Sequence, residues 1–158
     1  MENLLALIPL DLSLIFENFD RFLHGVWVTL GLTFLSLALG GAMAVPMAVA
    51  RAGRHPVLNR LIWTYTYVFR GTPLLVQTYL LYYGAGQFEF VRNSWLWDPV
   101  LSQAWWCALI AFTLNTCAYT TELLRGAIVD TPKGEVEAAI ATGMSKRRRL
   151  RRIVLPSA

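Results

Sequence analysis

Three stretches of this chain contain no Asp, Glu, Lys or Arg: residues 22–50, 71–88 and 99–121. No other feature constrains the fold as much. A helix needs about 20 apolar residues to cross the hydrocarbon core of a bilayer, and each gap is of that order. The alternative is to bury all three in a soluble core. A chain of 158 residues leaves too little sequence to surround three uncharged helices. Composition agrees, with 56% hydrophobic and 15% charged residues, against roughly 45–50% and 25% in ordinary soluble domains. The pattern predicts an all-α membrane protein with three spans, at about residues 22–50, 61–88 and 102–124.

Basic residues orient those spans. Residues 51–60 carry Arg51, Arg54 and Arg60, and residues 125–158 carry eight Lys or Arg. Residues 1–21 hold only Arg21, and residues 89–101 only Arg92. Loops rich in Lys and Arg stay in the cytoplasm, so three crossings put the N-terminus outside and the tail inside. The first 21 residues begin with no basic cluster and carry Glu2, Asp11, Glu17 and Asp20. They are expected to form an exposed or interfacial segment rather than a cleaved leader. Trp95, Trp97, Trp105 and Trp106 form an expected interfacial belt.

Small residues predict how the spans meet. Gly40, Ala44 and Ala48 repeat at four-residue spacing, which lets helices approach closely. Pro46 is expected to kink the same helix. Cys107 and Cys117 would lie about 15 Å apart along a helix, too far for a disulfide. Both are read as packing residues. His24 and His55 are isolated, and there is no phosphate-binding glycine loop with Lys, no His/Cys metal pattern and no nucleophile constellation. Catalysis in this chain is not expected.

The tail reads as two short helices hinged at a glycine. Thr131-Pro132 resembles a helix start, with Thr as cap and Pro in the first turn. Glu135 and Glu137 follow where carboxylates favour the helix dipole. Val136, Ala139, Ile140 and Gly143 have the spacing of one helix stripe. Gly143 can end that helix. A second helix carries Lys146 to Arg152, six charges in seven residues, with Leu150, Ile153 and Val154 as its oily positions, and Pro156 is placed at the start of a further element. Beside a membrane this run suits anionic lipid heads better than nucleic acid.

Glu137-Ala138-Ala139, then Gly143, then Ile153-Val154-Leu155-Pro156 resembles the EAA loop of ABC importer permeases. The segment YVFRGTPLLVQ, residues 67–77, and the segment LNTCAYTTE, residues 114–122, followed by Arg125-Gly126-Ala127-Ile128, resemble the core spans of polar amino-acid permeases. The set is most similar to permeases for basic amino acids and opines, the histidine/arginine/ornithine and octopine/nopaline group, over about residues 22–158. The resemblance implies the three-helix core of a type I importer permease, lacking the last two spans that such permeases carry beyond Leu155-Pro156-Ser157-Ala158. It implies a bacterial inner-membrane protein with a periplasmic segment 1–21 and a transmembrane domain 22–158. Its cytoplasmic coupling loop would span 131–156, and Glu137, Ala138, Ala139, Gly143, Ile153, Leu155 and Pro156 would meet the ATPase. Implied partners are a cytoplasmic ATPase subunit that holds the ATP, a second permease subunit (identical or paralogous), a periplasmic substrate-binding protein and membrane lipids. No cofactor is expected in this chain.

Arg70, Gly71, Thr72, Pro73, Gln77, Asn115, Tyr119 and Glu122 are the candidates for the substrate path or its gate. Arg70 sits in an apolar region beside a glycine and a proline, the pattern of a broken helix at a transport site. It can also be an interfacial anchor, or a partner of Glu122. Asn115, Tyr119 and Glu122, at i, i+4 and i+7, share one helix face. An acidic group there can attract a cationic substrate or make an ion pair at the helix end. The resulting expectation is a permease subunit of an ATP-driven importer for basic amino acids or opines. The alternative is a non-transporting membrane remnant that binds the ATPase as a decoy. A small self-assembling channel would need a polar stripe on every span, and residues 22–50 offer none.

Overall fold

The structure, a computed structural model, describes residues 18–157 except Arg54. The expected periplasmic or interfacial segment 1–21 lies almost wholly outside the described residues. The described residues form α1 (Phe19–Ala52), α2 (Pro56–Gly71), α3 (Leu74–Tyr79), α4 (Glu89–Arg92), α5 (Ala104–Asp130), α6 (Lys133–Ala141), α7 (Lys146–Arg149) and a last short helix, Leu155–Ser157. α3 continues through a π turn, Leu80–Gly84, and a 3-10 turn, Ala85–Gln87. α7 continues through a π turn, Leu150–Val154, into Leu155–Ser157. The described residues form no β-strand.

Two helices, α1 with 34 residues and α5 with 27, are long and apolar enough to cross a membrane. At 1.5 Å per residue they measure about 50 and about 40 Å. α1 runs through Pro46 to Ala52. The middle apolar region is not one helix over 61–88. It starts earlier, at Pro56, and breaks at Thr72-Pro73 before resuming as α3. Pro73 cannot donate to the carbonyl four residues back, and it forces the preceding residue out of the helical region. Thr72 accordingly has φ −111° and ψ 138°. Large apolar side chains face outward throughout, among them Trp27 at 72%, Phe34 at 67% and Leu75 at 80% exposure. In water such a surface would drive aggregation, whereas hydrocarbon matches it.

Ser36, Gly40, Ala44 and Ala48 form the buried stripe of α1, and they lie against α5. A Cβ built on Gly40 would stand 2.9 Å from the Thr113 carbonyl oxygen and 3.0 Å from Thr116 Cβ. Further along, Met47 Sδ meets Cys117 Sγ at 3.6 Å, and Arg51 meets Glu122. Contacts rise together along both helices, so α1 and α5 run parallel. Thr66 meets Glu122 and Phe69 meets Asn115, so α2 runs antiparallel to both. Cys107 and Cys117 are buried and unbridged, as packing residues.

The seam is testable. Gly40→Leu is expected to destabilise the purified protein in detergent by about 1–3 kcal/mol, because backbone on the facing helix cannot move aside. Gly41→Leu should be near neutral, since nothing lies within 4 Å of a Cβ there. Equal losses for the two variants in thermal melts would reject close packing at Gly40.

Candidate functional site

The helix break leaves carbonyls without their usual donors. Phe69 C=O would accept from residue 73, which is proline. It accepts instead from Gln77 Nε2 at 2.7 Å and Asn115 Nδ2 at 3.3 Å. Gln77 Nε2 also reaches the Thr72 carbonyl at 3.0 Å and Thr72 Oγ1 at 2.7 Å. Its Oε1 accepts from Asn115 Nδ2 at 3.3 Å. The Arg70 carbonyl accepts from Tyr119 Oη at 3.3 Å, and Tyr65 Oη donates to the Leu114 carbonyl at 2.6 Å. Side chains of α5 and α3 thus supply the hydrogen bonds that Pro73 removes, and a backbone polar group left unpaired in an apolar setting is costly. A groove of 350 Å³ opens beside the break, lined by residues including Phe69, Thr72, Gln77, Ala111 and Leu114.

Gln77→Leu should therefore loosen the break while keeping its bulk apolar. The expected loss is about 1 kcal/mol, the net worth of a hydrogen bond, since the Phe69 carbonyl keeps Asn115 as a donor, with faster hydrogen exchange at residues 71–78. Unchanged exchange there would show that Gln77 does not hold the break.

The predicted stripe of Asn115, Tyr119 and Glu122 does face one neighbour, the broken helix. Its third member has a different task. Glu122 Oε1 accepts from Arg51 Nε at 3.1 Å and from Thr66 Oγ1 at 2.9 Å, and Oε2 accepts from Arg125 Nε at 2.8 Å. Arg51 also donates to Asn59 Oδ1. One carboxylate so ties the C-terminal end of α1, the second half of α2 and the C-terminal part of α5. Periodicity placed Glu122 on its helix face but gave no sign of Arg51, Asn59 or Thr66. The available signal was Arg51 itself, the first charge after a long uncharged run. Arg70 is not Glu122's partner. It is exposed, and its guanidinium carbon lies 5.4 Å from the centre of the Tyr119 ring, a cation–π distance. Gly71, Thr72 and Pro73 form the break itself.

The tail folds back on the same end of the helices. α5 ends at Asp130 and α6 begins at Lys133, so two residues join them. Thr131 does not cap α6. Its hydroxyl donates back to the Ala127 carbonyl at 3.3 Å, and Pro132 takes the N-cap position. The C-terminus of α6 closes as a Schellman turn. Gly143 N donates to Ile140 O at 2.9 Å, and Met144 N to Ala139 O at 3.1 Å. The turn requires the left-handed region, and Gly143 has φ 73°. The predicted stripe is only half right. Ala139 is buried and Val136 half-buried, but Ile140 is 55% exposed and Gly143 stands outside the helix. Glu137 and Ala138 are exposed. Val154 is buried, with Ile153 and Leu155 half-buried beside it. Pro156 lies in the first turn of a further short helix, Leu155–Ser157, as expected, where a residue without an N–H is tolerated. The described residues contain no group of His, Cys, Asp or Glu able to hold a metal.

Parallel apolar helices, a proline-broken helix pinned against α5 and a short helical hairpin at one end define an all-helical membrane component. The chain belongs to the family described as binding-protein-dependent transport system inner membrane component, whose model matches residues 36–158. It is 44% identical over 150 residues to the octopine transport system permease protein OccM of Rhizobium radiobacter, covering 95% of this chain and 61% of that protein. It is 43% identical to the nopaline transport system permease protein NocM of Agrobacterium fabrum, covering 94% and 62%. The histidine/lysine/arginine/ornithine transport system permease protein HisM of Salmonella typhimurium is 44% identical, covering 92% and 62%. A solved structure titled as an amino acid ABC transporter with histidines superposes with a TM-score of 0.76 at 31% identity, covering 92% of this chain and 63% of that one. The chain spans about three-fifths of the length of these relatives. By that family it is an inner-membrane component of a transport system.

Proposed function

We propose that this chain acts as the membrane-spanning permease part of an ATP-driven importer for basic amino acids or opines. The observation that carries the reading is α6. A helix closed by Gly143 presents Glu137, Ala138 and Ile140 outward, and two residues join it to the long helix α5. A push on α6 would reach α5 with little slack. In this reading α6 and its return segment, with Ile153, Leu155 and Pro156, dock into a cytoplasmic ATPase that binds the ATP. The chain itself holds no cofactor. A binding protein outside delivers substrate, and a second permease subunit completes the path.

In this reading the chain crosses three times and its tail lies in the cytoplasm. The antiparallel course of α2 between the parallel α1 and α5 supports this, together with the eight basic residues after residue 124. The substrate class rests on the relatives, whose names cite octopine, nopaline, histidine, lysine, arginine and ornithine. Asn115, Tyr119 and the residues 70–73 beside the groove would border the path, with Gln77 and Glu122 holding its walls.

Two measurements test the reading. The ATPase subunit should co-purify with the detergent-solubilised chain, and Glu137→Lys should cut its recovery at least about tenfold by reversing a charge at the docking face. Uptake of labelled arginine or octopine into vesicles holding the assembled system should require ATP. Recovery of the ATPase unaffected by Glu137→Lys would move the docking site elsewhere, and uptake of neither solute would reject the substrate class.

A further inference from the structure

The return segment carries, apart from the docking residues Ile153, Leu155 and Pro156, a charged face that the permease reading leaves unused. Ser145, Arg147, Arg148, Arg151 and Arg152 line a hollow of 310 Å³ on the return segment. At i, i+1, i+4 and i+5 the four arginines share one helix face. Leu150, Ile153 and Val154 occupy the opposite side, where Val154 is buried and the other two are half-buried. All ion pairs among the described residues converge on Glu122, so the four guanidiniums have no acidic partner there. The Ser145 hydroxyl likewise makes no hydrogen bond among the described residues.

We propose that this hollow binds a phosphate group, and specifically the headgroup of an anionic phospholipid. Arginine forks match phosphate oxygens in pairs, and a hydroxyl donor completes the set. The lipid source is favoured by position. The segment after the arginines, Leu155–Ser157, packs back onto α5, whose last turns carry Leu123 and Val129 at 73% and 60% exposure. The guanidiniums therefore stand beside the end of an apolar, outward-facing helix, where headgroups lie. The run has no aromatic residue on which a base could stack, which disfavours nucleic acid.

The test is native mass spectrometry of the purified chain, titrated with phosphatidylglycerol, with phosphatidylcholine and with inorganic phosphate. Phosphatidylglycerol should be retained over phosphatidylcholine, and Arg148→Gln/Arg152→Gln should reduce that retention about tenfold. Arg147→Gln/Arg151→Gln should act similarly, and Lys133→Gln, on α6, should not. All four arginine changes fall on the face away from Val154, and circular dichroism checks that helix content is kept. If inorganic phosphate binds and phosphatidylglycerol is not preferred, the phosphate site stands and its occupant is soluble. If neither phosphate source is preferred, or the glutamine variants bind as the parent does, the proposal falls. Loss of ATPase recovery in those variants without any lipid effect would assign the arginines to a protein partner. The titration needs neither ATPase nor transport, so its failure leaves the permease reading untouched.

Discussion

Replacing Glu122 with alanine is expected to cost more stability than any other single change in the long helices, at least about 3 kcal/mol. The carboxylate accepts from two arginines and a threonine on three helices. Its removal leaves those donors without a partner in a partly desolvated place. The loss should be uneven between the partners. Arg51's side chain is 14% exposed and Arg125's is 35% exposed. Water can compensate Arg125 but scarcely Arg51. Arg125→Ala should therefore cost about 1 kcal/mol or less, and Arg51→Ala several times that. Arg51 also holds Asn59, so its loss frees the start of α2 from the end of α1. A triple variant, Arg51→Met/Glu122→Gln/Arg125→Met, should recover much of the stability, because an apolar set avoids the desolvation of the ions. Thermal melts in one detergent give all four values. A Glu122→Ala melt within measurement error of the parent would mean that the ions are solvated and tie nothing. A triple variant as unstable as Glu122→Ala would show a need for charge itself rather than for helix fastening.

That network also shows where sequence reading stopped. Uncharged stretches located α1 and α5 because a bilayer imposes length and composition on any helix that crosses it. The four-residue spacing of Gly40, Ala44 and Ala48 announced a seam, because close approach needs small side chains. Those are local constraints. The middle region was harder. Its apolar residues counted as one span, and Arg70-Gly71-Thr72-Pro73 marked the interruption. The repair of that interruption was invisible, since Gln77 and Asn115 lie 38 positions apart and no periodicity links them. Arg51 and Glu122 are separated by 71 positions, so the sequence offered the nearer Arg70 as a partner for the carboxylate and not Arg51. Ile140 fits an apolar stripe by spacing, yet it faces out. An outward isoleucine beside exposed alanines is what a docking helix needs, and spacing alone cannot distinguish that from a buried stripe.

Gly143 carries the second large effect, and the series of substitutions there separates backbone conformation from bulk. A Cβ at this position would meet nothing within 4 Å, so no side chain is excluded by lack of space. The penalty comes from φ 73° alone. An L residue in that region costs about 1–2 kcal/mol, with asparagine at the low end and β-branched residues at the high end. Under the proposed coupling role, ATPase recovery should fall in the order Gly143, Gly143→Asn, Gly143→Ala, Gly143→Val. Valine should retain roughly a tenth or less of the parent's recovery, since about 1.4 kcal/mol is tenfold. Gly143→Pro should abolish recovery. Proline fixes φ near −65° and removes the N–H that bonds Ile140, so the turn cannot form. The membrane helices should be spared, because α6 and the return segment lie beyond α5. Thermal melts of the Gly143 variants should therefore match the parent within about 1 kcal/mol while ATPase recovery varies over tenfold. A recovery that instead falls with side-chain size, leaving alanine equal to glycine, would point to a contact made by the Gly143 surface itself. Recovery unchanged even by proline would show that the closed end of α6 plays no part in docking.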